Sequence, residues 1–189
     1  MSRIVNFYTD GACSGNQNDD NVGGWGAILE YGDVIKELHS GELNTTNNKM
    51  ELDAVINAFR QLKRDGLTIH VFTDSSYVAN CFLNKWYVNW RNNGWKNKKK
   101  EPVENRDRWE ELLTMVEKND VTFYRVKGHV NLGSEKTDAD KLYRKFLENN
   151  KNALSQDSAP EITFDDFRKL IDMNNRADEL ANIAMDELR

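Results

Sequence analysis

Two stretches of this chain end alike. Residues 7–11 read Phe-Tyr-Thr-Asp-Gly and residues 71–75 read Val-Phe-Thr-Asp-Ser. Each is a short apolar run, rich in β-branched and aromatic residues, that stops at a threonine, an aspartate and a small residue. Such runs read as strands. Just before the second, Leu52, Val55, Ile56, Phe59 and Leu62 recur at helical spacing over 47–63, and Gly66 follows as a breaker. A helical crossover leads into a parallel strand. If the two strands are also adjacent, Asp10 and Asp74 stand side by side at their carboxyl ends. That is the edge where open α/β sheets hold ligands. Two carboxylates so placed repel unless a proton or a cation intervenes. Asp74, just ahead of a helix, also qualifies as an N-cap.

The other elements complete an α/β pattern. RIVNFYTD (3–10) is the first strand, and the small, polar residues 11–22 read as a loop. Residues 23–32 and 34–42 form two strands with a turn near Gly32-Asp33. TIHVFTD (68–74) is the fourth strand, and VTFYRVKG (121–128) the fifth. Helices run through Tyr77, Val78, Cys81 and Phe82, through Trp109, Leu112, Leu113 and Val116, and over about 175–188. The expected fold is a mixed five-stranded sheet flanked by helices, the first three strands antiparallel and the later ones parallel. Residues 133–173 stand outside this plan. They carry two further helix signals joined by NNKNALSQDSAPE, the second with Thr163 as N-cap and Ile162 and Phe167 spaced as a hydrophobic staple. We read a helical hairpin inserted before the last helix of a single domain spanning 1–189.

Two more acids could join Asp10 and Asp74. Glu51 lies at the margin of the apolar face of its helix, either as a surface residue or aimed at a site. Asp178 falls in the first turn of the last helix, where it could also complement the helix dipole. Four converging carboxylates make a hard-cation site, and Mg²⁺ favours such ligands with waters and phosphates. His129, after the fifth strand, could exchange protons near neutral pH or be an ordinary surface histidine.

Charge is unevenly placed. The chain totals −5, yet 84–109 holds eight basic and three acidic residues. Arg91, Lys96, Lys98, Lys99 and Lys100 are interleaved there with Trp86, Trp90 and Trp95. Cations that neutralise phosphates and rings that stack on sugars or bases suit a nucleic acid strand; a solvated loop over tucked tryptophans is the other reading. No apolar run approaches the ~20 residues of a membrane span. The N-terminus lacks a signal-peptide pattern, and two cysteines form no disulfide framework, so a cytoplasmic protein is expected.

Taken in order, Tyr8-Thr9-Asp10-Gly11 with Cys13 and Asn16, TTNNKMEL (45–52), TDSSYV (73–78), the Trp-rich basic segment, VKGH (126–129) and NRADELA (175–181) resemble bacterial ribonuclease HI, the type 1 ribonuclease H family. The resemblance implies the ribonuclease H fold and endonucleolytic hydrolysis of the RNA strand of RNA–DNA hybrids, leaving 5′-phosphate and 3′-hydroxyl ends. It implies Asp10, Glu51, Asp74 and Asp178 as ligands of two Mg²⁺ ions, with Mn²⁺ as a substitute, and His129 as a proton-handling residue. It places Cys13, Asn16, Asn47, Asn48 and Ser76 on the RNA strand. Thr46, Tyr77, Trp86, Trp90 and Asn105 go to the DNA strand. A monomer with no membrane partner is expected.

The sequence departs from the family at four places, the largest being the 133–173 insertion. Asn44 stands where many members have Arg, Ser76 where bacterial members often have Gln, and the loop after Asn16 is longer. The 133–173 insertion has no family role to inherit. Asn47 or Asn48 could simply cap the Glu51 helix. A non-catalytic hybrid-binding module and a DNA recombinase core are the rival functions. All four acids being present opposes the first, and the TTNNKMEL run with the basic segment opposes the second.

Overall fold

The computed structural model describes residues 4–15, 21–156 and 159–189. Its sheet has five strands in the order β3-β2-β1-β4-β5. β1 (Ile4–Ser14), β2 (Val22–Tyr31) and β3 (Val34–Leu43) form an antiparallel meander. β4 (Thr68–Thr73) pairs parallel with β1, and β5 (Asp120–Arg125) parallel with β4. The expected mixed sheet is therefore present, and the Gly32-Asp33 pair closes the β2–β3 hairpin with Gly32 at φ 60°.

The first strand runs further than its composition suggested. Residues 11–14 were expected in a loop, yet they continue β1 and pair with Val22–Trp25 of β2. Gly, Ala, Cys and Ser carry little strand signal of their own; the partner strand holds them extended.

Alternation along the strands separates two cores. Phe7, Ala27, Ile69, Val71 and Phe123 face α1 (Asn47–Arg60), α2 (Ser76–Leu83) and α4 (Arg106–Glu117). Tyr8, Ile28, Phe72 and Tyr124 face α5 (Ala139–Asn149), the short α6 (Lys151–Leu154) and α7 (Phe164–Glu187). Gly26 lets α7 lie directly on β2, because a Cβ there would strike the Ala177 carbonyl oxygen.

Two helices differ from expectation. The basic segment contains α3 (Trp86–Asn93), which buries none of its residues fully and starts from Lys85 in the left-handed region without a side-chain cap. Its eight residues are too few for a long apolar period, and no capping residue marks its start. The last helix begins at Phe164, not near 175, so the second arm of the inserted hairpin and the terminal helix are one element. Thr163 does cap it, in a capping box with Asp166, and Ile162 and Phe167 are both buried as a staple requires. The expected start near 175 falls inside this element. Asn174 is buried inside the helix and Asn175 lends its side chain to a neighbouring loop. Asp178 consequently sits deep in α7, and the helix-dipole reading of it falls away.

The insertion docks on the edge of the sheet through Asn150. Its Nδ2 donates to the Arg125 carbonyl at 2.9 Å and its Oδ1 accepts from the Arg125 amide at 2.8 Å. One buried amide thus pairs with β5 as another strand would, closing that edge. Among the described residues, no helix is long and apolar enough to cross a membrane.

Candidate active site

β1 and β4 are adjacent and parallel, so Asp10 and Asp74 do meet at the sheet's end. α1 brings Glu51 over them from one face. It can approach because Gly11 has no side chain: a Cβ there would collide with the backbone of Met50 and Glu51. The Gly11 amide donates to Asp10 Oδ1 at 3.0 Å and also to Glu51 Oε1. Ligand oxygens of Asp10, Glu51 and Asp74 all lie within 4.8 Å of one another. Asp178 reaches Asp10 from α7 but stands outside that tight group.

The capping alternatives resolve on the side-chain bonds. Ser75, not Asp74, caps α2 by accepting from the Val78 amide at 3.2 Å. Thr46, not Asn47 or Asn48, caps α1 by accepting from the Lys49 amide at 3.1 Å. Asp74, Asn47 and Asn48 are left to face a cavity of about 570 Å³, which Asp10, Glu51 and His129 also line.

Burial, with the crowding of like charges behind it, governs the protonation of the acids. Burial pushes Asp10 up to about 12, helped by the charges of Glu51 and Asp74. Burial first, then Asp74, raises Glu51 to about 8. Asp74 is also raised, chiefly by burial. Glu51 Oε2 is buried with no hydrogen-bond partner. Three carboxylates converging with no ion pair to a Lys or Arg among the described residues, one oxygen unsatisfied, fit a hard divalent cation.

Other predicted residues fall around this centre. Cys13 and Ser76 line the same cavity, and the Cys13 thiol donates to the Thr45 carbonyl at 3.8 Å. Asn16 and the longer loop that follows it lie outside the described residues. The Tyr77 hydroxyl accepts from Trp109 Nε1 at 2.8 Å and from Asn105 Nδ2 at 3.3 Å, which ties the cavity to the basic segment. There both readings of the tryptophans apply. Trp95 and Trp109 are buried, whereas Trp86 and Trp90 are only partly covered and flank an open groove with Lys96 and Lys98. Arg91 is not a free cation, since it pairs with Glu117.

His129 adopts φ 57° at the end of the loop after β5, and its Nδ1 stands 3.7 Å from Asp178 Oδ2. Asn175 anchors that loop by donating to the Val130 carbonyl at 2.8 Å. Reading the sequence placed Asn175 in the NRADELA motif but gave it no role at the site. Arg189 was missed as well; it lines the cavity and donates to Ser14 Oγ at 2.6 Å.

The RNase H family profile matches residues 2–148 of this sequence. The chain belongs to the type 1 RNase H family. It is 50% identical over 129 residues to a Ribonuclease H of Syntrophomonas wolfei, an alignment that spans 68% of this chain and 86% of the relative. A Ribonuclease H of Francisella tularensis subsp. novicida is 49% identical over 147 residues, 77% of this chain and 91% of the relative. Among solved structures, LC9-RNase H1, a type 1 RNase H with the type 2 active-site motif, has a TM-score of 0.60 and 27% identity. That likeness covers 88% of this chain and 81% of the other. The fold is the RNase H fold, and as an RNase H the chain is an endoribonuclease of a metal-dependent family. The profile match ends within α5, so Asp178 lies beyond it.

Proposed function

We propose that the chain, acting as a single catalytic domain, cuts the RNA strand of RNA–DNA hybrids with Mg²⁺ as its natural cation. The observation that carries this reading is the triad of Asp10, Glu51 and Asp74 at the sheet edge, within a family of ribonucleases H. Asp10, Glu51 and Asp74 would hold the metal, with Asp178 completing the set. When bound, divalent cations neutralise phosphate charge and activate water for in-line attack. The chain's own groups do the rest. Asn47, Asn48 and the Cys13 region face the cavity with donors and acceptors suited to the 2′-hydroxyls that distinguish RNA from DNA. Trp86, Trp90 and the lysines beside them would receive the DNA strand. His129, exposed on its loop and facing Asp178, is placed to take or return a proton as the 3′ oxygen departs.

The test is one cleavage assay on hybrid, duplex RNA and duplex DNA, with Mg²⁺, Mn²⁺ or chelator. Cleavage confined to the RNA of the hybrid and abolished by chelator is expected. Robust cutting of duplex DNA with the hybrid intact would overturn the reading.

A further inference from the structure

The insertion sums to −2 over 133–173, seven basic against nine acidic residues, but its charges are sorted in space. Lys136, Lys141 and Lys145 line a cavity of about 380 Å³ together with Lys127 and His129. A second cavity of about 450 Å³, between the end of β5 and helices α5 and α7, is lined by Arg125, Lys127, Lys145 and Asp74. Asp74 and His129 also line the active-site cavity. The five cations therefore face ground continuous with the carboxylate cluster.

Nothing on those walls neutralises them. The acids there are Asp74, within the cluster, and Asp138, whose Oδ1 caps α5 by accepting from the Lys141 amide at 3.0 Å. Among the described residues none of the five makes an ion pair, whereas Lys151 pairs with Glu148 and Lys169 with Glu30. Lys141 and Lys145 are one helical turn apart, a spacing at which like charges cost helix stability. Their helix is nonetheless firmly seated, through buried Phe146 and the Asn150 bridge to β5.

The wall also has a definite side. The Trp-rich basic segment belongs to the face of the sheet that carries α2 and α4, and α5 to the opposite face. The carboxylates lie at the sheet's end between them. A polyanion crossing that end leaves the cluster along one face or the other.

We infer that α5 and the turn before it present a second phosphate-binding wall, Lys136, Lys141 and Lys145 with Lys127 and Arg125, that grips the hybrid backbone beside the cut. This rests on the hybrid-cleaving reading above. It makes the insertion a substrate-binding device and not only a stabilising hairpin.

The experiment compares wild type with K136Q/K141Q/K145Q and with R144Q/K151Q/R168Q, which removes the same charge from insertion residues outside both cavities. The lysine triple should raise KM for a hybrid roughly tenfold with kcat within about twofold. It should also flatten the dependence of log Kd on log salt by roughly 0.9 per lysine engaged. K136R/K141R/K145R, which keeps the charge, and the control triple should both stay near wild type. A lysine triple matching the control in KM and salt slope, or losing kcat at unchanged KM, overturns the wall. A wild-type chain that neither binds nor cuts hybrid overturns the reading beneath it, a result visible before any variant is made.

Discussion

Glu30 and Asp10 are both buried acids on neighbouring strands, and their surroundings treat them oppositely. Burial pushes Glu30 up, but hydrogen bonds from Lys169, Asn6 and Tyr8 outweigh it and hold the carboxyl below the usual range. A carboxyl depressed in the folded state adds stability that is complete above its unfolded value near 4.3 and lost as pH falls through the folded value. Glu30→Gln should therefore lower Tm at pH 7 by roughly 2–8 °C, for a loss of about 1–2 kcal/mol given that Lys169 is half exposed. Melts at pH 7 and below pH 4 should show that gap closing; an unchanged gap would refute the ionic cause. Asp10 has no cationic side chain to offset its neighbours. In chelator, Asp10→Asn should raise Tm by roughly 2–4 °C, as relief of crowding worth about 1 kcal/mol, while abolishing cleavage. The pairing of Asp10 with Asp74 was legible because two strands ended alike. Their encounter with Glu51 depended on Gly11, whose role needs the packed helix to be seen.

Among the elements, α5 and α7 show where sequence patterns mislead. Apolar stripes revealed both helices, and Thr163 marked the start of one of them. The expected start near 175 falls inside α7, where Asn174 is buried and Asn175 bonds to the Val130 carbonyl, so both hold helical positions although asparagine favours turns. Asn150 looked like linker and is the joint between insertion and sheet. Asn150→Ala removes both bonds to Arg125 and one to the Phe146 carbonyl. A loss of about 2–4 kcal/mol is expected, with hydrogen exchange rising first in α5 and at the outer edge of β5. Exchange that rises evenly across the sheet would show that Asn150 does not localise the joint. α3 stayed hidden for a different reason: Trp86 and Trp90, one turn apart, hold it against the core, but no side-chain cap marks its start.

For the whole molecule, net charge is a poor guide to partner. The −5 total covers a carboxylate cleft at one end of the sheet and exposed lysines on either side. Of the cations in 84–109, Arg91, Arg106 and Arg108 are tied to Glu117, Glu110 and Asp53, which leaves the lysines as the free ones among the described residues. Lys98→Gln, Lys99→Gln and Lys100→Gln together should weaken hybrid binding evenly across base sequences and flatten its salt dependence. Binding titrations at several salt concentrations would check this, and sequence-selective weakening would contradict it. α7 adds a constraint of another kind. Phe167 and Ile171, seated in the insertion's apolar cluster, share one rod with Asp178, and every residue added or removed between them would swing that carboxylate about 100° around the axis. Between Ile171 and Asp178 the chain cannot change its count, because there sequence length is angular phase.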